Sequence, residues 1–297
     1  MSEKRLKTPL RSFLGIEPPL SDYTSAAAVI IPVPYDGTME WRKGAKEAPA
    51  AIIEASDYLE YYDLELKTET HRCGIHTMPQ LDKLGGGPKA VGDKVYRAVC
   101  KVVKDGKLPV VLGGEHSISY GVVKSVLERY PGLTVLQLDA HTDMRDSYRG
   151  SRWSDACVMR RVSEICPVVQ VGIRSSSLEE QRFLERMKRR PVYANEIRDD
   201  SKTISRVLGM LGREVYVTID LDVFDPSLMP AVGTPEPGGL GWYEVTNLLK
   251  QVGKTKHIIG FDIVELCPAE GPAACVYTAA ALAYRMIGYA VTGGNNG

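Results

Sequence analysis

Short apolar runs rich in β-branched residues alternate along the chain with longer segments of helical spacing. This alternation is typical of a parallel sheet with helices on both of its faces. The short runs predict strands at residues 28–33, 110–112, 134–138, 168–173, 215–219 and 257–261. The longer segments predict helices at residues 48–62, 90–104, 118–129, 178–189 and 278–290. We therefore expect an α/β fold, namely a three-layer α/β/α sandwich with a mostly parallel central sheet.

Stretches rich in proline, glycine and polar residues separate these elements. Three of them, at residues 82–88, 145–153 and 226–241, predict loops. We find no internal repeat, low-complexity tract or flexible linker that would divide the chain, and 297 residues are compatible with one large α/β domain. The sequence thus predicts a single domain over residues 1–297.

Composition and charge argue against several classes of protein. The chain has 37 Lys and Arg residues against 37 Asp and Glu residues, whereas a nucleic-acid binder needs a basic excess. No segment approaches the roughly 18 continuous apolar residues of a membrane span. The six cysteines lack the C-x-x-C spacing of a zinc ribbon and indicate no disulfide framework. We expect a cytoplasmic protein that binds neither nucleic acid nor membranes.

Acidic and histidine residues directly follow several of the predicted strands. Open parallel sheets bind ligands beyond the carboxyl ends of their strands, so these positions predict the functional site. Because side chains alternate along an extended backbone, residues i, i+2 and i+4 point to the same side. The residues that should converge are His116, Asp139, His141, Asp143, Asp220 and Asp222.

Four carboxylates and two imidazoles at one place need compensating positive charge, because burying an unpaired carboxylate destabilises the folded protein by several kcal/mol or protonates the group. A carboxylate-rich, thiolate-free set of ligands favours manganese or another fairly hard divalent ion, although cobalt, nickel and zinc stay open. So many ligands fit two ions that share bridging carboxylates and a water. The resulting cluster has a net charge of about −1, which favours a cationic or neutral substrate.

The motifs around these residues resemble those of the ureohydrolase family of arginases and agmatinases, and those of agmatinases most. The resemblance covers most of the chain. It rests on PVPYD at 32–36, GGEHS at 113–117, DAHTD at 139–143, VGIR at 171–174, DLDVFDP at 220–226 and GFDIVE at 260–265. It implies an arginase-like sandwich and a homotrimer or homohexamer, although the sequence itself indicates no interface.

The resemblance also implies roles for individual residues. Asp139 and Asp220 would bridge two manganese ions, with His116 and Asp143 on one ion and His141 and Asp222 on the other. A hydroxide that bridges the metals would attack the guanidinium carbon and release urea and an amine. Glu265 corresponds to the acid that pairs with the guanidinium, and its planar carboxylate suits a planar fork of N–H donors. Asp262 would support the site without binding metal.

One position departs from the family pattern. Asp155 stands where the family usually has a histidine that relays a proton to the departing amine. An aspartate with an ordinary pKa of about 3.9 cannot donate a proton at neutral pH unless a negative environment raises that pKa. Asp155 could be such a raised acid, or it could bind a second positive charge of the substrate while water carries the proton. Alternatively the enzyme is slowed or repurposed, or Asp155 is a loop residue outside the site.

Asp143, Asp155 and Glu265 are therefore the predicted catalytic residues, and Glu265 and Asp155 are also the predicted substrate-binding residues. The loop after DAHTD lacks the Asn and Thr run with which arginases hold an amino acid. This favours agmatine, which would give putrescine and urea, or a longer guanidine such as aminopropylagmatine. Guanidinobutyrate, held by the loop arginines, stays open, as do guanidine and arginine, although surface charge is the more common role of such arginines. Tyr35, Trp41 and Trp153 are candidates for the cavity entrance, although aromatic residues at such positions more often serve packing.

Two hypotheses of another kind also stay open. The chain could be a weakly active or silent metal-binding homologue with a structural or regulatory role, which the aspartate at position 155 suggests. It could also be an amide deacetylase, because histone deacetylases share this fold. A deacetylase would hold one zinc ion, so the number of metals per chain separates the two enzymes.

Overall fold

The computed structural model describes residues 11–39, 41–199 and 201–293. The strands in this part of the chain are β1 (Ala28–Val33), β2 (Tyr62–Asp63), β3 (Thr68–Glu69), β4 (Ile75–Thr77), β5 (Leu108–Gly113), β6 (Thr134–Leu138), β7 (Val168–Ile173), β8 (Val192–Tyr193), β9 (Glu214–Asp220) and β10 (His257–Val264). The α-helices are α1 (Ala48–Ser56), α2 (Gly87–Lys104), α3 (Ser119–Leu127), α4 (Val158–Ser163), α5 (Leu178–Arg186), α6 (Ala194–Asp199), α7 (Ser201–Met210), α8 (Trp242–Thr255) and α9 (Ala273–Thr292).

Eight of these strands form one sheet in the order β4-β1-β5-β10-β9-β6-β7-β8. Every neighbouring pair in this sheet runs parallel. β2 and β3 form a separate antiparallel pair. The predicted metal ligands lie after β5, after β6 and at or just after the last residue of β9, and Glu265 follows β10. These four strands are neighbours in the middle of the sheet, so their carboxyl ends lie side by side.

Helices cover both faces of the sheet. On one face, α1 and α6 to α9 pack on strand residues such as Ile30 and Val217. On the other face, α2 to α5 pack on residues such as Ile31 and Val111, which alternate with the first set along the same strands. The predicted three-layer α/β/α sandwich is confirmed.

Several predicted boundaries are wrong. The first helix ends at Ser56 rather than at residue 62, because the chain turns at residues 57–59 and Tyr62 pairs with Glu69 in the short antiparallel sheet. α2 begins at Gly87, so the predicted loop at 82–88 loses its last two residues to the helix. β4, β8, α4 and α6 to α8 were not predicted. β4 and β8 are two or three residues long and lie at the sheet edges, where an apolar run gives little signal.

α9 is long and apolar enough to cross a membrane by length and composition, the one such helix among the described residues. In its most apolar window, 56% of the residues are buried inside the protein. Arg285 interrupts this apolar stretch, and its Nε lies 3.1 Å from Asp63 Oδ2. α9 contacts α1 and α8 over its length. These contacts are those of a helix in the core of a folded domain.

Candidate metal centre and active site

Four of the predicted ligands meet around the imidazole of His116. His116 Nδ1 lies 3.2 Å from Asp139 Oδ2, 3.1 Å from Asp143 Oδ2 and 3.5 Å from Asp220 Oδ2. All four side chains are nearly or fully buried. A single cation at this place would contact one nitrogen and several carboxylate oxygens.

The remaining two ligands form a second group that shares Asp139 with the first. His141 Nδ1 lies 2.8 Å from Asp222 Oδ2 and 3.6 Å from Asp139 Oδ1. Each group contains ligand atoms close enough to hold one ion. The two oxygens of Asp139 face different groups, so Asp139 belongs to both of them.

The chemistry of these groups fits divalent cations. His116 Nδ1 is buried among three carboxylates, but none of its contacts with the described residues has the geometry of a hydrogen bond, while Nε2 lies 2.8 Å from Thr218 Oγ1. Burial and the charges of Asp222 and Asp139 raise the pKa of Asp220 well above its usual range. Burial and Asp139 likewise raise the pKa of Asp143 to about 7. A bound cation would offset this repulsion between carboxylates and would accept the lone pair of His116 Nδ1.

The predicted convergence holds, but turns produce it rather than an extended backbone. β6 ends at Leu138, and Asp143 adopts a left-handed conformation with φ of 52°. Asp222 lies in a short 3-10 turn after β9, and its N–H donates to Asp220 Oδ1 at 2.9 Å. Strained backbone of this kind is common where a site must place side chains against local preference.

A buried pair of amides supports Asp139, and the sequence analysis missed it. Gln137 Nε2 donates to Asp139 Oδ2 at 2.6 Å, and Gln170 Nε2 donates to Gln137 Oε1 at 2.6 Å. The two glutamines are register partners on the neighbouring strands β6 and β7. A polar residue at the same place in two otherwise apolar strands was the signal that could have revealed them.

A second buried chain of hydrogen bonds supports His116. Thr218 Oγ1 donates to Asp262 Oδ1 at 2.5 Å, and the Tyr216 hydroxyl donates to Asp262 Oδ2 at 2.6 Å. Asp262 therefore stands behind Thr218, which contacts His116 Nε2. This is the supporting place expected for Asp262. Partners of this kind fix the ring orientation of a metal-binding histidine.

Arg174 is another residue whose role the sequence did not indicate. Its guanidinium donates to the backbone carbonyls of Asp222 at 2.6 Å and of Glu236 at 2.8 Å. Burial lowers the pKa of Arg174, against the opposing effect of nearby acids such as Asp222. Arg174 thus ties the turn that carries Asp222 to the loop over residues 226–241.

Glu265 lies at the end of β10 beside the first ligand group. Its backbone is left-handed, with φ of 68°, and Oε1 accepts a hydrogen bond from the His116 N–H at 2.6 Å. Burial raises the pKa of Glu265 well above its usual range, and the charges of Asp220 and Asp155 add to this effect. A cationic partner would be strongly favoured at this carboxylate.

A cavity of about 420 Å³ opens above these residues. Glu265 and Asp155 both line it, so Asp155 is not a loop residue outside the site. The Asp155 side chain accepts a hydrogen bond from the Ala156 N–H at 2.7 Å. The structure therefore brings all of the predicted catalytic and substrate-binding residues to one cavity.

The prediction for the entrance is only partly correct. Trp41 lines the cavity and is 59% exposed, and Arg145 lines it too. Tyr35 is instead buried in the cluster of apolar residues that packs α2 to α5 on the sheet. Trp153 packs edge-on against Tyr120 beside a separate cavity of about 180 Å³. The alternative of packing therefore applies to two of the three aromatic residues.

A parallel α/β sandwich with two carboxylate–histidine groups at the carboxyl ends of its central strands defines an arginase-like class of protein. Residues 26–288 match the model of the Arginase family. The chain belongs to this family, and the predicted resemblance is confirmed. This membership replaces the alternative of an amide deacetylase.

Relatives of known name agree with this assignment. A protein of Synechocystis named N(1)-aminopropylagmatine ureohydrolase is 43% identical over 279 residues, which cover 91% of each chain. A protein of Pyrococcus horikoshii named agmatinase is 37% identical over 94% of this chain and 96% of its own. The crystal structure of agmatine ureohydrolase of Thermoplasma volcanium superposes with a TM-score of 0.84 at 31% identity and covers 96% of both chains. The chain is an arginase-family ureohydrolase, as predicted.

Proposed function

We propose that this protein hydrolyses the guanidino group of a linear cationic amine to urea and the corresponding amine, with two divalent ions per chain. The observation that carries the proposal is the pair of ligand groups that share Asp139. The first ion would be held by His116, Asp139, Asp143 and Asp220. The second would be held by Asp139, His141, Asp220 and Asp222. We propose Mn²⁺ for both, because oxygen ligands predominate and thiolates are absent from this set.

When bound, the metal pair would lower the pKa of water so that a hydroxide nucleophile is available at neutral pH. Glu265 would bind the guanidinium: its Oε1 is occupied by the His116 N–H, which leaves Oε2 to accept from the substrate. Asp143 lines the cavity next to His116 and would accept a hydrogen bond from the attacking water. The chain thus orients a planar cation in front of the nucleophile.

For Asp155 we propose the binding of positive charge on the substrate, with water as the carrier of the proton to the leaving amine. Asp155 lies among acids, since its charge contributes to the raised pKa values of Glu115 and Glu265. The negative potential of this wall favours a cation. It suits a substrate that has an ammonium group or a second amine beyond its guanidinium.

The same negative charge favours a cationic guanidino amine as the substrate. The names of the relatives support two compounds of this class. Agmatine is the predicted substrate, and the relative named agmatinase supports it. The second candidate is N(1)-aminopropylagmatine, which the more similar relative from Synechocystis supports. Both contain a guanidinium and a cationic tail. Arg145, which also lines the cavity, makes guanidinobutyrate a candidate for the same assay.

A urea-release screen tests the proposal. The protein is loaded with Mn²⁺, and separately with Ni²⁺, Co²⁺ or Zn²⁺, and is offered agmatine, aminopropylagmatine, guanidinobutyrate, guanidine and arginine. We expect urea from one of the two cationic amines with Mn²⁺. Release from none of the compounds, by this protein and by Asp155→His alike, would support the silent homologue instead.

We also propose that residues 1–297 form one domain, that the protein is a homotrimer or homohexamer, and that it works in the cytoplasm. The family resemblance supports the oligomer. Light scattering of the purified protein tests it directly, because a trimer or hexamer has three or six times the mass of the 32.7 kDa chain.

A further inference from the structure

Glu115 directly precedes the predicted ligand His116, but it is not among the residues that line the cavity. It is fully buried. Oε2 accepts hydrogen bonds from the Thr38 N–H at 2.5 Å and the Met39 N–H at 3.3 Å. Oε1 accepts from the Thr38 hydroxyl at 2.6 Å and the Ser117 hydroxyl at 2.5 Å. The carboxylate therefore anchors the loop that follows β1.

The Thr38 hydroxyl extends this anchor to a third loop. It donates to Glu115 Oε1, and its oxygen accepts a hydrogen bond from the Asp155 N–H at 3.2 Å. One hydroxyl thus joins the loop after β1, the loop after β5 and the turn that carries Asp155. Valine has the same shape as threonine but can make neither of these hydrogen bonds.

The backbone of the same segment positions Glu265. The Glu265 N–H donates to the Gly114 carbonyl at 2.8 Å, and the His116 N–H donates to the Glu265 carboxylate. On its other side, the Glu115 N–H donates to the Tyr35 carbonyl at 2.8 Å. Residues 114–116 therefore hold the guanidinium-binding acid and, through Glu115, the loop at residues 36–39.

Two of the anchored residues, Met39 and Asp155, line the cavity. Trp41, two positions after Met39, lines it too, and we call these three residues the tail wall. A guanidinium bound at Glu265 would direct its substituent into the space that the tail wall borders. The position of the tail wall relative to Glu265 depends on the hydrogen bonds of Thr38 and Glu115.

We propose that Glu115 and Thr38 are positioning residues that set the affinity of the site for the tail of its guanidino substrate. This inference rests on the proposed function. Without the Thr38 hydroxyl, the Asp155 N–H and the Glu115 carboxylate each lose a partner, so the tail wall moves relative to Glu265. The metal ligands and Glu265 keep all of their own contacts. Binding of the tail should therefore weaken, whereas binding of the guanidinium and the chemical step should persist.

The test compares Thr38→Val with Thr38→Ser in the manganese-loaded protein. We expect Thr38→Val to raise the KM of the tailed substrate roughly ten-fold and to change kcat less than about two-fold, and Thr38→Ser to restore the KM. The guanidinium ion, measured as a competitive inhibitor, should bind both variants within about two-fold of the parent. A general loss of stability would affect the ion and the tailed substrate equally.

Thr134→Val is the matched control. Thr134 is also buried, and its hydroxyl accepts a hydrogen bond from the Gly212 N–H at 3.1 Å. Thr134 is the first residue of β6, so it lies at the amino end of this strand, whereas the site lies beyond the carboxyl ends of the strands. We expect unchanged KM and kcat for Thr134→Val.

Glu115→Gln is the second test of the anchor, because its amide would present N–H groups to donors that now face a carboxylate. It should reproduce the tail-selective loss.

Calorimetric titration with 1,4-diaminobutane gives a readout that needs no turnover. We expect the diamine to bind Thr38→Val about ten-fold more weakly than it binds Thr38→Ser. Equal binding of the diamine, equal KM values in the two variants, or a parallel loss for guanidinium would overturn the inference. So would failure of both Thr38→Val and Glu115→Gln to fold, since the anchor would then be structural. If the parent releases no urea from any compound, the proposed function fails, and the diamine titration still decides on the anchor.

Discussion

The floor and the tail wall of the cavity are built in different ways. The floor consists of residues at the ends of four adjacent strands, and buried partners such as Gln137 and Thr218 hold its side chains. The tail wall consists of loop residues from two separate segments, and one buried carboxylate and one hydroxyl join it to the floor. Trp41 in the wall is 59% exposed, whereas Asp139 in the floor is fully buried.

This difference assigns the reaction to the floor and the substrate preference to the tail wall. Side chains with buried partners on both sides keep one geometry, which a reaction centre requires. Loop residues can change without disturbing the sheet, which is why loops on rigid scaffolds so often determine specificity. We therefore expect substitutions in the floor to abolish metal binding or turnover, and substitutions in the tail wall to change which guanidine is preferred.

The largest effect is expected for Asp139→Asn. The substitution removes charge from a carboxylate whose two oxygens face different ligand groups. The binding of two metals and the rate of urea release should fall by more than about 100-fold. This loss exceeds the one usually seen when a residue that only hydrogen-bonds to a metal ligand is replaced. Elemental analysis of the purified variant gives the stoichiometry, and two ions retained per chain would contradict the assigned ligands. Asp220→Asn should behave in the same way.

A loss of turnover without loss of metal is expected for Glu265→Gln. The amide keeps the shape but not the charge that pairs with a guanidinium, so kcat/KM should drop roughly 100- to 1000-fold. Metal content should stay at the parental value in the same elemental analysis. Unchanged kinetics would mean that another group holds the guanidinium.

A smaller effect on the floor is expected for Gln137→Leu. Leucine fills the space but leaves Asp139 Oδ2 without its donor, and residues behind a metal ligand typically contribute about 10- to 100-fold to metal affinity. Titration with Mn²⁺ should show this weakening, and Gln251→Leu, at a half-buried position of α8 that does not line the cavity, serves as the control. If Gln137→Leu and the parent bind Mn²⁺ with equal affinity, the amide pair does not support metal binding.

The smallest effect is expected in the tail wall, for Asp155→Asn. Loss of the charge should raise the KM for agmatine or aminopropylagmatine roughly ten-fold, with kcat nearly unchanged. A pure loss of kcat would instead favour Asp155 as the proton donor. Steady-state kinetics of urea release distinguish the two results.

The same contrast explains how much the sequence could predict. The residues of the floor could be predicted because acids directly follow apolar strands, and parallel strands bring such positions together even when they are distant in the chain. The turn geometry at Asp143 and Asp222 could not be predicted, since alternation along a strand says nothing about the backbone beyond the strand. The contact between Thr38 and Glu115 joins residues 77 positions apart, and no local pattern reports such a contact.

We propose that two divalent ions share Asp139 at the ends of β5, β6 and β9. Anomalous diffraction from crystals of the protein soaked with Mn²⁺ would locate both ions. We predict two peaks per chain, one beside His116 Nδ1 and the other beside His141 Nδ1, with the Asp139 carboxylate between them. A single peak, or a pair of peaks away from these two histidines, would contradict the account.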